Sequence, residues 1–149
     1  MNSSNDANPT LTKLQVAVHQ LGIAIRLFLE GDYLSSLTLA GAAEEILGKL
    51  CERAGLPVAM ENIILYHWND TDAALPDQER RRILRDLLNT GRNAVKHAND
   101  PNETHFVVAQ VHPLQMIMRA MPMARRLGLP PSGEAAMVSW IRSHPEATQ

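Results

Sequence analysis

The chain has 149 residues and a formal net charge of −2, a length that suits one domain rather than two. Hydrophobic residues make up 45% and aromatics 4%, so a core must be built from Leu, Ile, Val, Ala and Met, which favours closely packed helices over a β-sandwich. The near-neutral balance excludes coating of nucleic acid through bulk positive charge, while leaving room for a local basic strip. The lone cysteine, Cys51, excludes an internal disulfide and a cysteine-built zinc centre, and reads as a core thiol suited to a reducing cytoplasm.

Taken in chain order, Met1 to Pro9 is polar and reads as a disordered leader. It lacks the basic and apolar regions of a signal peptide. Residues 10–149 then form a single helical domain. Leu14, Val18, Leu21, Ile25 and Phe28 recur at helical spacing, which predicts a helix from about Leu11 to Glu30. Arg26 and Glu30 keep it from being a membrane span. Gly31 ends it and Asp32 caps the next helix, from Tyr33 to about Arg53. The small centre of that helix, Ala40-Gly41-Ala42-Ala43, allows a close neighbour. Gly55 and Pro57 terminate it.

A short helix over Glu61 to Trp68 is expected next. A long one then runs from Asp77, with Glu79 in its acidic first turn, to about Ala98. Asp100-Pro101-Asn102-Glu103 carries a capping signature and predicts another helix, with kinks or a break at Pro113 and Pro122. The last helix starts near Ser132 and ends before Pro145. The whole reads as an all-α, up-down bundle of five or six helices.

Few chemistries that need fixed spacing survive. Gly41 to Lys49 has six residues between its glycines where a phosphate loop has four, Leu50 replaces the required Ser or Thr, and the string lies within a helix. No G-x-G-x-x-G, H-E-x-x-H or Glu-x-x-His pair occurs, so no metal or cofactor is expected. Ser35 and Ser36 lack a nucleophile setting.

Arg80 to His97 is the exception. Arg80, Arg81, Arg82, Arg85, Arg92 and Lys96 stand against Asp86 alone. One reading is a solvated helix face, with Lys96 and His97 favoured in a last turn by the helix dipole. The sharper one pairs Arg92 with His97, about 140° apart on a helix yet able to meet at its rim. A histidine can take or give a proton near neutral pH, and an arginine can hold two phosphate oxygens as charge builds up. Together they suit phosphodiester cleavage in which an RNA 2′-hydroxyl attacks, with no metal required.

Arg92-Asn93-Ala94-Val95-Lys96-His97 resembles the Arg-x4–6-His signature of the HEPN superfamily (higher eukaryotes and prokaryotes nucleotide-binding domains). The likeness extends in architecture over Leu11 to Leu127, including the Ala-rich helix with central acids, and its specific part is those six residues. It implies a HEPN-like bundle that homodimerises and sets two motifs about one cleft, as in metal-independent endoribonucleases of toxin–antitoxin, defence or RNA-processing systems. Arg92 and His97 would be the catalytic pair, and Asn93 would orient the histidine or substrate. No attached nucleotidyltransferase or nuclease domain is visible to point to a substrate. Some members of the superfamily are silent binding or scaffolding modules.

The remaining polar residues are weighed around that motif. Arg85 and Lys96 are expected to steer RNA. Glu44 or Glu45 can be half-buried against Arg85 or Arg92, in a structural role or a supporting one. His105, His112 and Arg119 recur every seven residues, read as the solvent side of a helix or the border of the cleft. Met116, Met118, Met121 and Met123 read as core, with a partner surface as the alternative. Tyr66, His67 and Trp68 read as core filling rather than a base-stacking platform. The leading expectation is therefore a cytoplasmic, metal-independent endoribonuclease, with an antitoxin or other protein as a further partner and no membrane partner. The rivals are a non-catalytic HEPN-like binding or scaffold module and a helical protein-interaction adaptor.

Overall fold

The computed structural model describes residues 8–148, so the expected leader lies outside the described residues except for Asn8 and Pro9. Among the described residues the structure is all-α, with seven α-helices, two 3-10 turns and no strand. It is a helical bundle with more helices than the five or six expected.

Helix α1 (Lys13–Leu29) opens with a capping box, in which Thr12 and Gln15 each accept from the other's backbone N–H. It turns at Gly31, whose φ of +88° suits glycine, into α2 (Tyr33–Ala54), capped by Asp32 accepting from Ser35 N at 3.0 Å. The turn is tight, so α1 and α2 form an antiparallel hairpin. Ser36, fully buried, fastens it by donating to the Ala24 carbonyl at 2.7 Å. The third core helix is α6 (Val111–Arg126). It runs alongside α2 in the same direction. Gln110 Nε2 donates to Tyr33 Oη where both helices begin, at 2.9 Å, and Cys51 feels the charge of Arg126 where both end.

Leu21 and Ile25 of α1, Leu37 and Leu47 of α2, and Leu114 and Ile117 of α6 are at most 1% exposed and form the shared core. Each such side chain contributes about 1.5–3 kcal/mol by leaving water. Cys51 and Met116, Met121 and Met123 join this core, as expected, whereas Met118 is exposed. The helical spacing of Leu34, Leu37, Gly41, Gly48 and Cys51 predicts the apolar stripe of α2, and the structure shifts it in part, since Leu34 is exposed and Glu44 is buried. The final helix, α7 (Glu134–Ser143), covers α1, with Trp140 edge-on to Phe28 at 4.8 Å between ring centroids.

Between α2 and α6 the chain makes a long excursion. Helix α3 (Ala59–Tyr66) and α4 (Asp77–Leu88) enclose a small second core of Met60, Ile64 and Leu84. Arg80 pins the link between them: its Nε donates to Thr71 Oγ1 at 2.6 Å, its Nη2 to the Trp68 carbonyl at 2.9 Å, and its guanidinium lies 4.1 Å from the Trp68 ring centre. Tyr66 is not core filling, being 84% exposed.

The long helix expected from Asp77 to Ala98 stops at Leu88 and resumes as α5 (Thr90–Ala94). The cause lies on α6. Arg119 Nη2 donates to the Leu88 carbonyl at 2.7 Å, the group that a continuous helix would offer to the N–H of Arg92, and its Nη1 donates to Asn89 Oδ1 at 3.3 Å. The helix expected from Pro101 is also absent: residues 103–109 run without helix, turn or bend. Pro113 accounts for this, because its ring would strike the Ala109 carbonyl in a helix extended backwards, while two residues inside α6 it displaces no bond. Pro122 does not break α6, since it lies on the exposed side, where water can serve the freed carbonyl.

Candidate functional site

The motif is split by this architecture. Arg92 and Asn93 belong to α5, while His97 lies past its end, exposed, with its backbone N–H donating to the Asn93 carbonyl at 3.0 Å. The 140° relation between Arg92 and His97 on one helix therefore does not apply. Asn93 is half-buried.

Arg92 is the most constrained member of the motif. Its stem crosses Gly41, where an added Cβ would come within 2.6 Å of Cγ. The small centre of α2 thus admits an arginine side chain as well as packed helices. The Arg92 guanidinium reaches Glu44, Nη1 to Oε2 at 3.2 Å, and lies 4.0 Å from Glu45. Its Nε is buried with no hydrogen-bond partner among the described residues. Gly91 brings the same helix against α6, since a Cβ there would stand 3.0 Å from the His112 ring.

Of the two glutamates left open by the sequence, Glu44 is the buried one, with a side chain 5% exposed against 52% for Glu45. Burial pushes the Glu44 carboxyl above its usual range, against the pull of Arg119 and Arg92 and with a small addition from Glu45. Burial likewise lowers Arg119, which Glu44 partly restores. Arg119 is 5% exposed, so the expected solvent stripe of His105, His112 and Arg119 does not form. His112 is half-buried at the start of α6. His105 lies before that helix, exposed, within 2.7 Å of the Thr104 hydroxyl.

Glu44, Arg92, Arg85 and Asn89 line one cleft of about 460 Å³, together with Glu45, Lys49 and Glu61. On its other flank Arg92 meets Lys96, Val95 and Thr38 in a smaller groove of about 320 Å³. His97 lines neither. The basic run is also less bare than the sequence implies. Arg81 and Arg85 meet Glu61 at 2.6 and 3.8 Å, Arg82 meets Glu79 and Asp86, and Lys96 meets Glu45 at 3.8 Å. Glu61, on α3, is the partner that the local sequence could not reveal, while Glu45, on α2, which the sequence set against Arg85 or Arg92, also meets Lys96. Arg119, which the sequence placed in a polar stripe with His105 and His112, is instead buried and bound to Leu88 and Asn89; the signal for this was an arginine among buried-type methionines on α6.

Among the described residues no three His, Cys, Asp or Glu side chains gather as a metal-binding group, and no helix is long and apolar enough to cross a membrane. Compared with protein-family models, with curated proteins and with solved structures, the chain matches none.

Proposed function

We propose that this chain is a HEPN-like, metal-independent endoribonuclease that works as a cytoplasmic homodimer in a toxin, defence or RNA-processing role. The observation that carries this reading is the division of labour within the motif: Glu44 and Gly41 fix Arg92 at the wall of a cleft, while His97 stays exposed just beyond the same helix. In this scheme the His97 imidazole takes the proton of an RNA 2′-hydroxyl. The freed oxygen attacks the adjacent phosphorus, the bond to the 5′-oxygen breaks, and that oxygen receives a proton as a 2′,3′-cyclic phosphate forms. Arg92 faces the phosphate oxygens with a guanidinium nitrogen not engaged by Glu44. Asn93 orients the histidine, Arg85 and Lys96 steer RNA, and the second copy's motif completes the cleft.

The test is RNA cleavage in excess chelator by wild type and His97→Ala prepared in parallel. Wild type is expected to leave cyclic phosphate ends, and the variant to lose activity by about 10²–10⁴-fold with its helix content intact. Equal cleavage by both would sink the assignment of His97.

The pairing of the cations with carboxylates favours a second reading, a non-catalytic module that binds a protein or nucleotide at the same cleft. Absence of RNA binding at low salt would select it. A plain helical adaptor is less well supported, since Arg92, though ion-paired, lines a cleft and His97 is exposed.

A further inference from the structure

A second cavity, of about 490 Å³, follows α6 from its first residue, Val111, to its last, Arg126. At the rise of an α-helix that is a groove about 22 Å long. Leu114, Met118 and Pro122 of α6, Ile63 of α3, Leu88 of α4 and Ala147 after α7 give it an apolar lining. Met118 and Val111, residues of a kind the core usually takes, are left 39% and 41% exposed there. The charge of the groove has one sign. No Asp or Glu lines it, and its ionisable side chains are His67, Arg119 and Arg126. His67 is paired with Asp70 at 2.9 Å, and Arg119 is committed to Leu88 and Asn89. Arg126 is exposed and meets no carboxylate among the described residues, whereas its neighbour Arg125 is paired with Glu134.

We infer that this groove binds a linear aliphatic carboxylate of the fatty-acid type, its head on Arg126 and its tail along α6 towards Val111. Size, backbone chemistry and charge each select that class. The volume lies within the range of small-molecule sites, roughly 300–1,000 Å³. Spread over the length of α6, it leaves a cross-section of about 20 Å², room for one chain of methylenes and not for a helix about 10 Å across. The lining residues belong to helices or 3-10 turns or cap one, so their main chain offers no strand edge. An extended peptide would leave its own N–H and C=O groups unpaired against apolar side chains, with only the amides of Asn62 and Gln115 to serve them. A hydrocarbon tail has no such groups. At the end of the groove, the Arg126 guanidinium can take both oxygens of a carboxylate. Arg92, Asn93 and His97 do not line the groove, so this inference does not rest on the catalytic reading, and either can fail alone.

Titration calorimetry with octanoate, decanoate, dodecanoate and tetradecanoate, each below its aggregation concentration, provides the test. One molecule is expected to bind per chain, with an affinity that rises by up to about fourfold for each added methylene. Arg126→Gln, at an exposed position, should weaken decanoate about tenfold or more. Decanol, which has the same tail and no charge, should bind wild type and Arg126→Gln alike. Met118→Trp puts a larger side chain midway along the groove; it should obstruct the tail and weaken dodecanoate about tenfold or more, while the helical circular dichroism stays as in wild type. Absence of one-to-one binding by wild type overturns the proposal. So does an affinity that is indifferent to chain length, to Arg126→Gln or to Met118→Trp.

Discussion

A methyl group at position 41 would stand 2.6 Å from Cγ and 2.9 Å from Cδ of Arg92, so the two residues are coupled although they are far apart in sequence. Gly41→Ala gains up to about 1 kcal/mol in helix propensity and loses about 1–3 kcal/mol to overpacking. The expected net effect is destabilisation on the order of 1 kcal/mol. In an Arg92→Ala background the obstruction is gone, and the same substitution should be neutral or stabilising. Denaturant midpoints of the four proteins give the coupling; additive effects would show that the stem of Arg92 does not need the glycine. Glu44 makes a second prediction. Burial raises its carboxyl above the usual value of 4.5, so the folded state holds that proton more tightly than the unfolded chain. The stability this confers is full below pH 4.5 and is lost as pH rises through the raised value. Relative to Glu44→Gln, the wild type should therefore lose stability on going from acid towards neutral pH, and then level off. A difference that grows in the opposite direction would mean that the attraction of Arg119 and Arg92 outweighs desolvation.

At the level of elements, the excursion between α2 and α6 is held by arginines that work as struts. Arg80 joins α4 to the link behind α3 through two hydrogen bonds and the face of Trp68. Lysine keeps the charge and loses the planar fork. Arg80→Lys should cost about 1.5–3 kcal/mol and speed amide exchange in the segment around residues 69–76. Exchange in the α1–α2 hairpin should stay as it was; equal loosening of both would show that the excursion and hairpin unfold as one unit. Arg119 is the corresponding strut on the other side, and its two bonds to Leu88 and Asn89 divide what the sequence presents as one helix.

Across the whole molecule, what could be read from the sequence divides along the range of the interactions. The boundaries of α1, α2 and α7 follow from signals within a few residues, such as Asp32 and the glycines at 31 and 55, and the structure places each within about two residues of expectation. The break at Asn89 is imposed by Arg119, thirty residues away, so no local pattern announces it. At Pro101 a local signature points the wrong way: the capping residues are present, but Pro113 and the β-branched Thr104, Val107 and Val108 oppose the helix they would start. The site shows the same limit. A glutamate among small residues foretold a buried partner for Arg92, yet only the packing of α2 against α5 and α6 selects Glu44 over Glu45. The pairing of Arg85 with Glu61 requires α3 and α4 to be in place, and the exposure of His97 follows from the early end of α5.

The placement of α6 alongside α2, with residues 55–110 between them, has a consequence during biosynthesis. At about 5–20 residues per second, a ribosome needs on the order of several seconds to travel from Ala54 to the start of α6. Once α2 has cleared the ribosome, the α1–α2 hairpin can close while the rest of the excursion is still being made, with the α2 surface around Leu37 and Leu47 lacking the helix that will cover it. The nascent chain thus carries an open hydrophobic face until most of its length has been made. Slowing translation within the excursion should lengthen that exposure and increase capture by chaperones at the exit tunnel.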